Sequence, residues 1–536
     1  MRSTGTRHIV IALALIAVAL VVRTLAIRCG HQLDIDEADT AMKIGQPVGA
    51  LLADLRRDGH PPLYFLLLKL WAMALGRTEP ALRALSTAIS LGELALLLAV
   101  GRRLFGGVAA AYAGLLFALS PVETFHAIEG RMYTLVPFEA LAAFALAARL
   151  LDSERSGAGG APGAAAAAAA TTANRARDAA LLFVVLVAAL YTHNYGLFVP
   201  LAVAGAAAAV AARRARREGI AAAGRAIAAP VIAAVLAYAA YIPWLPVLQA
   251  QRASRAHEWL VGFFDATPPI LAIPLSLAAL SGIGPYPPIT PPLVGLDIFR
   301  PLALPLGIVL LAAGAASAFG ARRPDSRAAL PVFGLALLLA PWLVSVTSKV
   351  VYLVGRYDVV ALPFALLVLG AGAAALIARS RALAIVPLLF LAAPLPGLRA
   401  LVTQRRGGDA VEMAAVIAVR PDTRAVIATQ LAGSRLRYYL ARAGRDDVLV
   451  RSFPTSTDLH PGWLEESDAA DPSLAASADS LVGSLHDAFR LGDILWTTLY
   501  DDDATKPVLV HALARRFAAD GKASRLDIGL LAVRKE

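Results

Sequence analysis

Charge and cysteine are both scarce in this sequence. Only 17% of the 536 residues are charged, and the chain has one cysteine, Cys29. One thiol cannot form an intramolecular disulfide or supply a cysteine-based zinc site. Apolar residues are abundant instead: 58% of the chain is hydrophobic and the mean hydropathy is +0.64. This composition is typical of a polytopic membrane protein and excludes an ordinary soluble globule.

The positive net charge is better explained by a membrane than by nucleic acid. The chain carries a formal charge of +11, and most of its arginines stand in short clusters between apolar runs. Such clusters set the orientation of membrane helices, whereas a nucleic-acid site collects its charge on one face. We therefore expect no nucleic-acid partner.

Several apolar runs approach the roughly 20 residues that a membrane-spanning helix needs. The first run continues past Arg23 to Ile27 and lacks a small-residue cleavage pattern before Cys29, so it is typical of an uncleaved helix rather than a signal peptide. We predict eleven spans: Ile9–Ile27, Ala81–Val100, Val108–Val122, Met132–Leu151, Ala179–Tyr195, Leu197–Ala212, Ile220–Leu245, Pro301–Phe319, Ala328–Val346, Val359–Ile377 and Leu383–Leu398.

The apolar segment Pro61–Leu75 is left out of these spans because it is short, carries Lys69 and begins with two prolines. Without it, all the arginine clusters between spans fall on the same side as the N-terminus, as the positive-inside rule requires. With it, the same clusters would face outward. We predict an interfacial helix here, a cytoplasmic N-terminus, and one long external loop at Cys29–Glu79.

The same parity places further loops outside, and an odd number of spans sends the C-terminal region outside as well. These external loops are Glu123–Arg131, His193–Gly196, Gln249–Asp297 and Ser348–Arg356. On the other side, the Gly/Ala-rich stretch Gly157–Ala170 is predicted to be a flexible linker.

The chain divides near residue 400 into a membrane domain, 1–400, and a charged domain, 401–536, without a spanning run. The second domain is predicted to be a small soluble α/β domain. Gly433 could mark a phosphate site at a helix start, but a lone glycine is weak evidence and an ordinary turn is favoured. Asp501–Asp503 could bind a cation, but a solvated loop is favoured. The predicted strands of this domain are Ala425–Thr429, Val448–Phe453 and Ile494–Leu499, and its predicted helices are Ala410–Val419, Arg435–Ala443 and Leu481–Leu491.

An acidic cluster opens the first external loop and is the leading candidate for chemistry. Asp34, Asp36, Glu37 and Asp39 follow the first span directly, where a carboxylate beside a lipid-adjacent site can act as a general base. The alternative is that they are solvated, or that one of them caps a helix predicted at Ala41–Leu55.

Three further external segments each offer a cation or an imidazole. His60 stands before two prolines, Arg131 lies between Glu129 and Tyr133, and Arg356-Tyr357 follows Lys349. An arginine suits a phosphate oxygen because its guanidinium matches it bidentately, but an interfacial Arg or Tyr can equally anchor a helix. Together these segments begin to indicate an anion site.

Several short motifs follow one another in a fixed order along the first 400 residues. They are Asp36-Glu37, His60-Pro61-Pro62-Leu63-Tyr64, Gly76 with Glu79 and Arg83, Ser120-Pro121, Glu129-x-Arg131-Met132-Tyr133, and Gly355-Arg356-Tyr357 with Pro363. No single motif is specific, but the ordered set resembles the bacterial membrane glycosyltransferases of the GT-C superfamily. Within it, the chain is most similar to the family 39-like branch of protein O-mannosyltransferases and lipid A aminoarabinose transferases.

This resemblance implies a fold, an activity and a location. It implies an all-α polytopic membrane domain of GT-C type with about eleven transmembrane helices, followed by the α/β domain. The implied activity is transfer of a hexosyl or pentosyl group, with inversion, from a polyprenyl-phosphate donor to an acceptor glycan, lipid or protein. The reaction would occur on the outer face of the bacterial cytoplasmic membrane, with the C-terminal domain extracytoplasmic.

The resemblance also assigns site residues. It implies Asp36 as the general base with Glu37 in support, and it argues against aminoarabinose as the sugar because His60 stands where those transferases have a lysine. Asp34 and Asp39 are then interpreted as solvated neighbours. The residues expected to bind the donor phosphate or the acceptor are His60, Tyr64, Glu129, Arg131, Tyr133, His193, Lys349, Arg356 and Tyr357.

Other functions stay open at this stage. The same charges could line the path of a lipid-linked saccharide transporter or the docking surface of a non-catalytic membrane scaffold. Transport is favoured by ionisable residues deep in several spans, of which Glu93 and Glu139 are the clearest. No cofactor is predicted; Asp34-x-Asp36 leaves a divalent cation open, although two carboxylates are an incomplete ligand set.

Overall fold

A computed structural model of the chain describes residues 2–30, 32–152, 164–253, 260–261, 264, 268–283, 300–321, 324–403, 409–429, 431–455, 457, 472–499 and 505–536. The helices of its first half are α1 (Arg2–Arg28), α2 (Ile35–Gly45), α3 (Val48–Asp58), α4 (Leu63–Leu75), α5 (Glu79–Phe105), α6 (Gly107–Leu119), α7 (Pro121–Ala127), α8 (Leu135–Asp152), α9 (Ala164–Thr192), α10 (Phe198–Glu218), α11 (Ile220–Tyr241) and α12 (Leu245–Ala253).

The remaining elements include every strand that the structure describes. They are α13 (Pro269–Leu280), α14 (Arg300–Gly320), α15 (Ser326–Thr347), α16 (Leu362–Arg379), α17 (Ile385–Phe390), α18 (Leu395–Thr403), α19 (Ala410–Ala418), β1 (Thr423–Thr429), α20 (Gly433–Arg442), β2 (Leu449–Phe453), α21 (Leu474–Ala488), β3 (Ile494–Thr498), α22 (Lys506–Ala514), β4 (Ala518–Ala519) and β5 (Leu530–Arg534).

The chain forms two compact units, and each is made of two stretches of sequence. The first unit comprises Met1–Cys29 and Leu55–Gln404, and the second comprises Gly30–Asp54 and Arg405–Glu536. The first unit is helical. The second contains the acidic segment, which forms α2 and most of α3, and the C-terminal sheet and its helices.

The helical unit has the composition of a membrane domain. Among the described residues, eight helices are long and apolar enough to cross a membrane, or nine if α6 and α7 form one bent span. The predicted spans Met132–Leu151 and Ala179–Tyr195 fall on α8 and α9, which are helical but each carry acidic and basic residues that keep them out of this number. The eleven membrane crossings stay a prediction.

The predicted span Val108–Val122 is broken in the structure. The Ser120 hydroxyl accepts a hydrogen bond from the Glu123 backbone N–H at 3.2 Å, and Pro121 occupies the first helical turn. A Ser cap followed by proline starts a new helix, so α7 leaves α6 at an angle of 60°. This break sets the direction of the turn that follows α7.

Helices α14 and α16 pack with their backbones close together. A Cβ on Gly314 would lie 2.0 Å from the Val368 carbonyl oxygen, and one on Gly372 would lie 2.0 Å from the Leu310 carbonyl oxygen. Small residues are the usual means by which membrane helices approach closely. Beside this contact, the Phe333 and Phe364 rings pack with their centroids 4.8 Å apart in the buried core.

The second unit contains a five-stranded sheet in the order β2-β1-β3-β5-β4. Strands β2, β1 and β3 are parallel, and β5 pairs antiparallel with β3 and β4. Val426 lies between Val450 and Trp496 in this register, and all three are buried. Parallel strands that are covered on both faces appear in a sequence as continuous apolar runs. For this reason β1, β2 and β3 are the strands that the sequence predicts.

The remaining strands were not predicted. Strand β5 is the short run Leu530–Arg534 and β4 has only two residues, so neither has a distinct pattern in the sequence. The predicted helices correspond to α19, α20 and α21, with α21 beginning earlier, at Leu474, and ending at Ala488. Asp501–Asp503 lie outside the described residues.

Two predictions about local structure need correction. The predicted linker Gly157–Ala170 is helical from Ala164 onward, because a run of alanines has the highest helix propensity, and its earlier residues lie outside the described part. The predicted helix Ala41–Leu55 is two helices, α2 and α3, since Pro47 interrupts it, and α2 begins already at Ile35.

Candidate active site

The turn between α7 and α8 holds three predicted site residues, Glu129, Arg131 and Tyr133. His126, at the end of α7, lies against this turn: its Nδ1 is 3.1 Å from Glu129 Oε2, and its Nε2 is 3.2 Å from the Gly355 carbonyl oxygen. A carbonyl oxygen only accepts, so Nε2 carries a proton and donates it. The contact with Glu129 then needs one further proton, on the ring or on the carboxyl. His126 thus joins this turn to the segment that carries Arg356.

Ser86 of α5 connects the same turn to α4. Its hydroxyl donates to the Arg131 carbonyl oxygen at 3.1 Å, so the Tyr64 hydroxyl, 2.8 Å away, is the donor to Ser86 Oγ. The Arg131 guanidinium carbon lies 5.8 Å from the centre of the Phe65 ring. Arg131 is buried, with 3% of its surface exposed, and an aromatic face is a favourable neighbour for a buried guanidinium.

Arg356 and Tyr133 make the most specific contact of the group. Arg356 Nε donates to the Tyr133 hydroxyl at 3.0 Å, and the guanidinium carbon lies 5.2 Å from the centre of the Tyr133 ring. Hydrogen bonding and cation–π contact together fix the orientation of the guanidinium. Tyr357 follows directly, and its ring centre is 6.3 Å from that of Tyr133.

His193 lies in the short break between α9 and the 3₁₀ turn Asn194–Leu197. Its Nδ1 accepts a hydrogen bond from the Tyr195 backbone N–H at 3.0 Å, which leaves the proton of the neutral ring on Nε2. Burial lowers the pKa of His193 to about 3, and the charges of Arg131 and Arg356 add to this effect. Its ring centre is 5.7 Å from Tyr133 and 5.4 Å from Tyr357. His193 is therefore a neutral N–H donor beside two arginines.

His60 follows a turn that needs glycine. Gly59 has a φ of +72°, and a Cβ there would overlap the Gln251 side chain. The Asn194 amide nitrogen donates to the Gly59 carbonyl oxygen at 3.2 Å and to Gln251 Oε1 at 3.3 Å, so this turn is tied to the residue beside His193. The half-buried His60 ring has its centre 5.8 Å from that of Phe65.

Lys349 lies in the loop after α15. Its Nζ donates to the Arg252 carbonyl oxygen at 2.6 Å, and Arg252 donates to Ser348 Oγ at 3.2 Å. These bonds join the loop to the end of α12.

The acidic pair belongs to the second unit. Asp34 is the N-cap of α2: its Oδ1 accepts from the Glu37 N–H at 2.7 Å, and Glu37 Oε2 accepts from the Asp34 N–H at 3.3 Å. Glu37 is buried as part of this capping box, and Asp36 is the second residue of the helix and half-buried. A negative charge at a helix start is favoured by the helix dipole.

Of the two residues predicted to be solvated neighbours, Asp34 is exposed and Asp39 is half-buried. Asp34 is engaged in the cap. Asp39 Oδ2 lies 2.5 Å from Nζ of Lys43, which is buried, so Asp39 balances a buried charge. Within the described part of the chain, no three His, Cys, Asp or Glu residues are arranged to hold a metal ion.

No family profile and no curated protein matches the sequence. Solved structures do match over nearly the whole chain. ArnT from Cupriavidus metallidurans in the apo state is similar with a TM-score of 0.58 and 14% identity, over 99% of this chain and 98% of that one. The same protein bound to undecaprenyl phosphate has a TM-score of 0.56 and 14% identity, over 97% of both chains. The Archaeoglobus fulgidus oligosaccharyltransferase in the apo form has a TM-score of 0.53 and 11% identity, over 96% of this chain and 73% of that one.

This chain has the GT-C fold. Within the membrane unit of this GT-C fold, the contacts described above bring Arg131, Tyr133, His193, Arg356 and Tyr357 together from three separate segments.

Sequence reasoning missed three residues that hold this cluster together: Ser86, His126 and Asn194. Each makes its bonds to residues far away in sequence, His126 to Gly355 across 229 positions and Asn194 to Gly59 across 135. The only signal was the spacing of His126, three positions before Glu129 in a segment already singled out. A single sequence does not reveal the partner of such a side chain.

The GT-C membrane unit also buries more charge than the sequence indicated. Arg23, interpreted as part of an apolar span, is fully buried and donates to Ser90 Oγ at 3.0 Å, and one of its terminal nitrogens lies 3.9 Å from Glu123 Oε1. Glu93 is also fully buried, and Glu139 accepts from the Thr192 hydroxyl at 2.9 Å. Arg23 thus links α1 to α5 and α7.

Proposed function

We propose that this protein is an inverting glycosyltransferase that moves a sugar from a polyprenyl-phosphate donor to an acceptor on the outer face of the cytoplasmic membrane. One observation supports it most: Arg356 donates to the Tyr133 hydroxyl at 3.0 Å, two residues from Arg131, and the His193 ring centre lies 5.7 Å from that of Tyr133. Two arginines and a neutral N–H donor, in a partly buried site with aromatic walls, suit a phosphate.

The solved neighbours support the same donor class. One of them is ArnT bound to undecaprenyl phosphate, and this chain shares its fold over 97% of its length. At 14% identity the similarity shows a shared fold and no more. The lipid-phosphate donor is therefore a proposal for this chain. The sugar and the acceptor stay open among hexoses and pentoses and among glycan, lipid and protein, because external loops and appended domains determine them.

In the proposed reaction, the Asp36 carboxylate takes the proton of an acceptor hydroxyl. The acceptor oxygen forms a bond to the anomeric carbon while the bond from that carbon to the phosphate oxygen breaks, with inversion. Polyprenyl phosphate leaves with the electron pair of the broken bond. A phosphate leaving group needs positive charge where its negative charge develops rather than a strong acid.

Each residue has a proposed part in this step. Arg131 and Arg356 hold the phosphate, His193 is a neutral donor beside it, and His60 is a second imidazole at the site, with Lys349 behind them. Glu129, Tyr64, Tyr133 and Tyr357 orient these groups or the acceptor. Glu37 supports Asp36 through the helix cap that both it and Asp34 complete.

The fully buried Arg23, Glu93 and Glu123 are the observation that favours the rival function, a lipid-linked saccharide transporter. Arg23 donates to Ser90 of α5 and lies 3.9 Å from Glu123 of α7, so we interpret these buried charges as structural links between helices. A non-catalytic scaffold would leave the cation cluster without a use.

Incubation of the purified protein with a radiolabelled polyprenyl-phosphate sugar and a crude acceptor fraction tests the proposal. We expect polyprenyl phosphate to be released and the label to appear in the acceptor. A transporter in proteoliposomes would move the donor across the bilayer intact, and a scaffold would leave it unchanged. Intact donor after incubation with several lipid-linked sugars would contradict the proposed function.

A further inference from the structure

The segment that carries the proposed base folds as part of the C-terminal domain. Gly30–Asp54 and Arg405–Glu536 form one compact unit, although some 350 residues of membrane domain, Leu55–Gln404, separate them in sequence. Helix α2, with Asp36 and Glu37, is therefore a component of the same body as the five-stranded sheet.

Helix α20 connects the sheet to α2. It packs against β1 and β2 and also against α2. Its Arg437 donates to the Val450 carbonyl oxygen of β2 at 3.2 Å, which holds the helix on the sheet. The face that α2 buries includes Ala38, Ala41 and Ile44, each at most 2% exposed. Small apolar side chains on this face let the helix pack closely.

One hydrogen bond joins α20 directly to the start of α2. The Tyr439 hydroxyl accepts from the Leu33 backbone N–H at 2.9 Å, and both residues are buried, with 7% and 0% of their surfaces exposed. Leu33 immediately precedes Asp34, the N-cap of α2. A buried backbone N–H that loses its acceptor carries a desolvation cost, so this bond strongly favours one entry path of the chain into the helix.

The constraint passes from Tyr439 to Asp36 in two steps. Tyr439 fixes Leu33, and the reciprocal bonds between Asp34 and Glu37 fix the first turn of α2, in which Asp36 is the second residue. A general base must stand within hydrogen-bond reach of the proton it takes, and a shift of about 1 Å can reduce the rate on the order of a hundredfold.

We propose that Tyr439 is a positioning residue for Asp36, and that the C-terminal domain serves to hold the base-bearing helix α2 in its catalytic geometry. This inference rests on the proposed function, because only there is Asp36 a base. Tyr439 itself touches no reacting atom in this account.

The test compares Tyr439→Phe with Tyr438→Phe in the full-length protein. Tyr438 is another buried tyrosine of α20, and its hydroxyl accepts from the Arg442 guanidinium at 3.5 Å. Tyr438→Phe therefore controls for the loss of a buried hydroxyl. Hydrogen–deuterium exchange of the peptide covering Leu33 to Glu37 measures how firmly the start of α2 is held, and it does not depend on catalysis. Sugar-transfer kinetics with a polyprenyl-phosphate donor measure the effect on kcat and KM.

For Tyr439→Phe we expect faster exchange at Leu33–Glu37, unchanged exchange in β1, and a kcat reduced about tenfold or more with an unchanged KM for the donor. We expect no further loss when Tyr439→Phe is added to Asp36→Asn. For Tyr438→Phe we expect the exchange and kcat of the unsubstituted protein.

Three results would overturn the inference: unchanged exchange at Leu33–Glu37, faster exchange with an unchanged kcat, or loss of β1 protection, which would mean that Tyr439 supports the whole domain instead of α2. Failure of the proposed function looks different. In that case the unsubstituted protein leaves the lipid-linked donor intact, or Asp36→Asn keeps full activity, whatever the exchange measurement shows.

Discussion

At the scale of the residue, the chemistry-bearing side chains could be named from the sequence but their partners could not. Arg131, Tyr133, His193 and Arg356 stand out because charged and aromatic groups are rare in an apolar chain. Their contacts depend on which distant segments the fold brings together. The Arg356–Tyr133 bond spans 223 positions, and no local pattern records it.

The acidic cluster shows the opposite case, in which the local signal was present. Asp34 and Glu37 have the spacing of a capping box, an acceptor followed three positions later by a glutamate. That pattern predicts a helix start at Ile35. It also separates two of the acidic residues by role: Asp34 caps α2, and Asp39 pairs with Lys43.

Replacement of Arg356 by lysine tests the cation cluster. Arg356→Lys keeps the charge but loses the bond to the Tyr133 hydroxyl and the forked geometry that suits phosphate. A hydrogen bond to a charged group contributes about 1.5–3 kcal/mol, so we expect the affinity for polyprenyl phosphate to fall about tenfold or more. Direct binding of polyprenyl phosphate to the purified protein measures it.

Arg103→Lys is the matched control, because Arg103 makes a half-exposed ion pair with Asp152 and has no part in the cluster. We expect its affinity to match that of the unsubstituted protein. Equal affinity in both variants would remove Arg356 from the donor site.

At the scale of the element, apolar runs predicted where helices lie but not how they pack. The sequence shows the run Val108–Val122, and only the Ser120 cap before Pro121 marks the bend within it. The close approach of α14 and α16 is equally hidden, because glycine is common in membrane helices and only the structure shows which glycines face a neighbouring backbone.

Gly372→Ala tests that packing. The new methyl group would meet the Leu310 carbonyl at 2.0 Å, so α14 and α16 must separate. Overpacking of this kind costs about 1–3 kcal/mol, and we expect a lower midpoint of thermal unfolding in detergent. Gly224→Ala in α11 is the control: it has nothing within 4 Å, and alanine is the better helix former. A midpoint for Gly372→Ala equal to that of the control would contradict the close packing.

At the scale of the whole molecule, the class of fold followed from composition, whereas the make-up of the two units did not. A sequence-based division near residue 400 keeps the first external loop with the membrane domain. By contact, Gly30–Asp54 belongs with the C-terminal sheet, because the buried face of α2 and the Leu33 N–H find their partners there. Such pairing between distant segments has no signature in a single sequence.

The orientation in the membrane is a whole-molecule prediction. In a Cys29→Ser background, Lys522→Cys in the C-terminal domain and Arg216→Cys in the basic last turn of α10 each introduce one exposed thiol. The positive-inside rule predicts that a membrane-impermeant maleimide applied to intact spheroplasts labels the first and not the second. Both thiols react after lysis, which controls for accessibility. The reverse pattern in intact cells would place the proposed site in the cytoplasm.

The transfer activity of Asp36→Asn, compared with that of Asp34→Asn, tests the central claim most directly. Both changes remove one carboxylate charge from the start of α2, but asparagine caps a helix about as well as aspartate, so Asp34→Asn leaves the helix in place. With a polyprenyl-phosphate sugar in membranes, we expect Asp36→Asn to lose on the order of a hundredfold or more in kcat and Asp34→Asn to stay near the unsubstituted protein. Full activity of a correctly inserted Asp36→Asn protein would contradict the account.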